Sequence, residues 1–101
     1  MPTTTSYHNY LVSSLKDSRH AANYIAVALE LEDQGREPEL LRAMLKNVME
    51  ARILSNNVSI AAKQYYEKLD GILSETGGAE IYTLIEFLDA LGYRIEIALK
   101  N

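Results

Sequence analysis

Apolar positions fall into short blocks along this chain, and nearly all of the blocks repeat at helical spacing. The clearest runs from Glu80 to Leu91, where Ile81, Leu84, Ile85, Leu88 and Leu91 recur along one face with Phe87 beside it. That spacing predicts an amphipathic helix. Gly92 stands where it should end, because glycine enters the left-handed C′ conformation without a Cβ clash. Beyond it the period drops to two: Tyr93, Ile95, Ile97 and Leu99 alternate with Arg94, Glu96, Ala98 and Lys100, the pattern of a half-buried strand. The pattern offers no second strand. A lone strand exposes a row of unpaired N–H and C=O groups, and pairing with the same strand of a second copy removes the problem. A homodimer is therefore expected, with Tyr93, Ile95, Ile97 and Leu99 at its interface.

The rest of the chain reads as helices. Residues 1–5 form a polar, flexible tail, and Tyr7, Tyr10, Leu11 and Leu15 mark a first helix of about two turns. Asp17 or Ser18 is placed to cap a second helix reaching about Asp33, apolar on nearly every side and so expected at the centre of the core. Gln34 to Pro38 is a break, with proline suited to the first turn of the next helix. That third helix spans Pro38 to Arg52, with Leu41, Met44, Leu45 and Val48 inward and Arg42, Lys46 and Glu50 as a solvated row. Ser55-Asn56-Asn57 makes a turn before two short helices, Val58 to Lys63 and Tyr65 to Leu73, and Ser74 to Ala79 is the last loop. The sum is one all-α domain over 1–101, with N-terminal helices in 6–52, a helix-turn-helix region in 53–92 and a dimerising strand in 93–100.

Composition narrows the class. A chain of 101 residues with 48% hydrophobic content and two prolines suits one folded domain. It holds no cysteine, which removes disulfides and thiolate metal sites and agrees with a cytoplasmic location. No apolar run approaches the roughly 20 residues of a membrane span, so no membrane partner is expected. The net charge of −4 is unevenly placed, with two lysines against six acids in residues 58–92 and near balance elsewhere.

The ordered set Leu15-Lys16-Asp17, A-A-N-Y-I-A-V-A-L-E from Ala21, P-E-L-L-R-A-M-L-K-N-V-M-E-A-R from Pro38, L-S-E-T-G from Leu73 and T-L-I-E-F-L-D-A-L-G-Y-R-I-E-I from Thr83 resembles the addiction-module antidote proteins. The resemblance covers about residues 10–98. It implies a lambda-repressor-like helix-turn-helix fold and a dimeric antitoxin. Such a protein neutralises a small basic toxin resembling the ribosome-dependent mRNA endonucleases, and it represses its own operon by binding operator DNA. In the implied recognition region, Lys63 replaces the family's turn glycine and Tyr66 its arginine, Asp70 stands for a tyrosine, and Glu67 and Leu69 are kept. Lys63 and Lys68 are left for phosphates, with Gln64 and Tyr65 nearest the bases. Four lysines in a dimer give a salt slope of at most about −4. That shortage keeps open an alternative: a toxin-binding module of the same fold that has lost sequence-specific DNA binding.

Nothing in the pattern calls for catalysis or a cofactor. His8 and His20 lack a second ligand type at metal-site spacing and read as surface or capping residues. The carboxylates Glu30, Glu32, Asp33, Glu37 and Glu39 flank a loop, where charges are ordinarily solvated. No nucleophile–base pair or glycine-rich phosphate loop is present.

Overall fold

The computed structural model describes residues 4–30 and 35–100. It contains five helices: α1 (Thr4–Ser14), α2 (Ser18–Ala28), α3 (Pro38–Leu54), α4 (Ile60–Thr76) and α5 (Ala79–Ala90). Several boundaries follow from local chemistry. Asp17 caps α2 by accepting hydrogen bonds from the backbone N–H groups of Arg19 and His20 at 2.9 and 3.0 Å. Pro38 occupies the first turn of α3, where its missing N–H costs nothing. Ser59 caps α4 through the Ala62 N–H. Gly77 and Gly78, both left-handed, make a two-residue turn into α5, tighter than the six-residue loop expected there. After α5, Gly92 takes φ +90° and the Tyr93 N–H reaches back to the Leu88 carbonyl. α1 is a turn longer than expected and takes in part of the expected tail, whose first three residues lie outside the described ones. α2 ends at Ala28, short of Asp33; residues 31–34 lie outside the described ones.

α3 is the central helix, with α1, α2 and α4 all packed on it. Its C-terminal half contributes Val48 and Ala51 to a cluster with Val12, Leu15 and Ala21. Its N-terminal half contributes Leu41 to a second cluster with Leu73, Tyr82 and Ile85. The central place expected for α2 is thus taken by α3. Only Ala21 and Ala22 of α2 are buried, and Val27 and Asn23 face out. Small alanines let α2 approach α3 closely on one side, which reads in the sequence as apolarity all round.

Three polar side-chain pairs tie parts of the fold across the surface. Arg42 on α3 donates from Nε and Nη2 to the Asp70 carboxylate of α4 at 2.9 and 3.2 Å. Arg36 donates to both oxygens of Glu86 on α5 at 2.8 and 2.6 Å and lies over the Tyr82 ring. His8 on α1 meets Glu50 on α3 at 2.6 Å. The row expected to be merely solvated, Arg42, Lys46 and Glu50, therefore supplies two of these three ties.

The C-terminal strand is not there. Among the described residues no strand forms, and residues 93–100 run back along α2 as an irregular segment. Ile95 leans on the cluster of Leu41, Leu73, Tyr82 and Ile85, and Ile97 is half-buried over α2. Tyr93 and Leu99 stay exposed. The two-residue alternation was therefore misleading: of its four apolar positions only Ile95 and Ile97 are partly covered, and by other parts of the same chain. Among the described residues, no helix is long and apolar enough to cross a membrane.

Candidate functional site

The candidate DNA-reading residues lie on α4. Val58 to Lys63 and Tyr65 to Leu73, expected as two helices, are one: α4 runs unbroken from Ile60 to Thr76. Val58 and Ser59 precede it, and Lys63 lies inside it, with its N–H bonded to the Ser59 carbonyl at 3.1 Å. The physical reason lies in Ala61-Ala62-Lys63-Gln64. These four are among the best helix formers, and none has the left-handed preference or the missing N–H that would stop propagation.

Along this continuous helix Leu69 and Leu73 point inward, Leu73 fully buried, and Tyr66 is partly buried. Burial pushes the Tyr66 phenol up from its usual range, with the Asp70 carboxylate acting in the same direction. Gln64 and Lys68 share the opposite arc, with Lys63 and Tyr65 each about 100° from Gln64, one at either margin. All four are exposed, Tyr65 to 71%. They form one outward surface, but Glu67 and Glu75 share it and cancel the two lysines. Asp70 is turned to Arg42, whose guanidinium holds its carboxyl below the usual range.

Two apolar surfaces had no place in the pattern. At the corner between α3 and α4, Ile53, Leu54 and Ile60 are exposed, Ile60 to 78%. On α5 the inward face is set by Tyr82 and Ile85, with Ile81 and Leu88 beside them, while Leu84, Phe87 and Leu91 point away from the core. Sequence periodicity placed Leu84 and Leu91 inward and missed Tyr82. The tyrosine's burial was legible only as a fourth side on a helix apolar almost everywhere.

Among the described residues no polar or charged side chain is buried, and no group of three or more His, Asp or Glu gathers at metal-binding distances. His20 is exposed beside the Asp17 cap. The Tyr93, Ile95, Ile97 and Leu99 set is split by the docking of the tail, two residues inward and two outward. Open grooves of about 390 and 450 Å³ are lined by residues of α2 and of 94–100. No family model, curated protein or solved structure matches this chain.

Proposed function

We propose that this chain works by capturing a protein: an antitoxin-type module whose acidic helical surface holds a small basic partner of the mRNA-endonuclease kind. The observation that carries this is the unbroken α4. A helix-turn-helix places its second helix in the major groove by means of the joint between the two, and here the residues of that joint are helical. What α4 and α5 present together is only mildly acidic, because the α4 charges balance and the excess comes from Glu80 and Asp89 on α5. Glu67, Glu75, Glu80 and Asp89 are exposed, against Lys63 and Lys68. Phosphates repel such a surface, and a basic protein is steered onto it. The sequence resemblance to the antidote proteins supports the nature of the partner.

The test is calorimetric titration of the purified chain with a basic protein encoded beside it. Expected is a complex that weakens as salt rises from about 50 to 300 mM, and weakens at least tenfold in the Glu67→Lys, Glu75→Lys double variant. No complex, or one indifferent to both salt and charge reversal, would overturn the proposal.

A second reading has one observation in its favour. Gln64, Tyr65 and Lys68 face outward together with Lys63 beside them, which is the arrangement a homodimeric operator-binding repressor would use. In that reading Lys68→Glu weakens binding to all duplexes alike, while Gln64→Ala lowers discrimination between them.

A further inference from the structure

We infer that residues 93–100 are a strap over α2 that opens as a unit while the five helices stay folded. The strap begins after Gly92, which leaves α5 in the left-handed conformation at φ +90°. The last backbone bond that ties it down runs from the Tyr93 N–H to the Leu88 carbonyl at 2.9 Å. Beyond that point, among the described residues, no hydrogen bond or ion pair joins residues 94–100 to a helix. The polar contact found there, Arg94 to Glu96 at 3.2 Å, lies within the strap itself.

Side-chain burial holds the strap at two points. Ile95 packs on the cluster of Leu41, Leu73, Tyr82 and Ile85, and Ile97 is half-buried in a groove that it shares with Ala22 of α2. The other residues of the strap are exposed. A segment with two partly covered side chains and a solvated backbone stands at the low end of local stability. By contrast α3, with Leu41, Val48 and Ala51 buried and three helices packed on it, opens only with the whole molecule. The strap therefore opens far more often than the helices unfold.

What lies beneath gives the opening a consequence. Ile97, Ala98 and Leu99 line a groove whose floor includes Ala22 and Ile25 of α2 and Val48 of α3, with Arg52 on the same groove and Arg19 on the adjoining one. Ala22 and Val48 are buried while the strap is down. Lifting it bares an apolar seam between α2 and α3 that is flanked by two guanidinium groups, on a different part of the surface from the carboxylates of α4 and α5. The seam is thus accessible only in the open fraction, so the strap is an intramolecular cover on it. The device acts within one copy and does not rest on the partner proposed above.

The chain holds no cysteine, so a thiol placed under the strap reports on its opening. In the full-length protein, with circular dichroism as the control for folding, Ala22→Cys should react with an aromatic disulfide reagent at least about tenfold faster than Ala51→Cys, which sits in the core against Val12 and Leu15. Adding Ile97→Asp to Ala22→Cys should raise the rate about tenfold again and leave the helical signal unchanged, since it removes one of the two points of burial. Brief trypsin treatment of the unsubstituted chain reads the same motion: cleavage after Arg94 should precede any cleavage within α3 or α4. Equal rates at Cys-substituted positions 22 and 51, a rate at position 22 indifferent to Ile97→Asp, or cleavage within α3 or α4 as early as at Arg94 would overturn the inference.

Discussion

At Gly78 a Cβ would sit 2.6 Å from Leu73 Cδ2, and the backbone is left-handed at φ +68°. Leu73 is the most completely buried large side chain, so it has little room to yield. Gly78→Ala should therefore destabilise by more than about 1 kcal/mol. Gly71 is the opposite case: it is helical, with open space where its Cβ would be, and Gly71→Ala should stabilise by about 0.5–1 kcal/mol. Urea unfolding of the two variants reads both, and shifts of the same sign would contradict the placement of the turn. The carboxylates make a prediction with pH. Hydrogen bonds from Arg42 and Arg36 hold Asp70 and Glu86 below their ordinary values. Their stabilisation is complete above the unfolded range near about pH 4 and fades as pH falls through the lower folded values. Asp70→Asn should lower the thermal midpoint at pH 7 and matter little at pH 2.5; an equal loss at both would exclude the charge as the cause. Asp17, Pro38 and Gly92 were legible because each obeys a rule of local backbone geometry. Arg42 with Asp70 and Arg36 with Glu86 were not, since they lie 28 and 50 residues apart and no local spacing announces them.

At the scale of the element, α4 and α5 depart from their pattern for different reasons. In α4 the apolar positions Leu69 and Leu73 mark one short face, and the exposed stretch before them has no periodicity to show that the helix expected over Val58 to Lys63 runs on into it. Capping by Ser59 and the propensity of Ala61 to Gln64 decide it. Backbone ¹³Cα shifts should be helical without a break from Ala61 to Glu75, and coil values at Lys63 to Tyr65 would restore the joint. In α5 the apolar residues surround the helix, so periodicity gives no unique orientation; the Gly77–Gly78 turn and the packing of Tyr82 against Leu41 and Leu73 select one. Ile85→Ala should cost about 2–5 kcal/mol, and Leu84→Ala less than about 1. Comparable costs for the two would show the helix rotated toward the expected face. For residues 93–100 the alternation did not give the structure, because a period of two signals a strand only where a neighbouring strand pairs with it; here only Ile95 and Ile97 find cover, against helices of the same chain.

On the whole molecule, three helices gather on α3 and leave a surface divided by chemistry. Acidic residues are exposed along α4 and at both ends of α5, and uncharged apolar side chains lie on the outer side of α5 and at the α3–α4 corner. The proposed capture of a basic partner draws on the charged residues of this surface, and the apolar side chains lie apart from the α4 lysines. Duplex DNA meets two lysines per copy on α4, which limits any affinity and its salt slope alike. The decisive comparison is an anisotropy titration, at low salt, of the DNA upstream of the chain's own reading frame against a random duplex of equal length. Protein capture without operator reading predicts weak binding that is equal for the two. A clear preference for the upstream duplex, abolished by Lys68→Glu and reduced by Gln64→Ala, would contradict it and place the function in α4 as a DNA-reading helix.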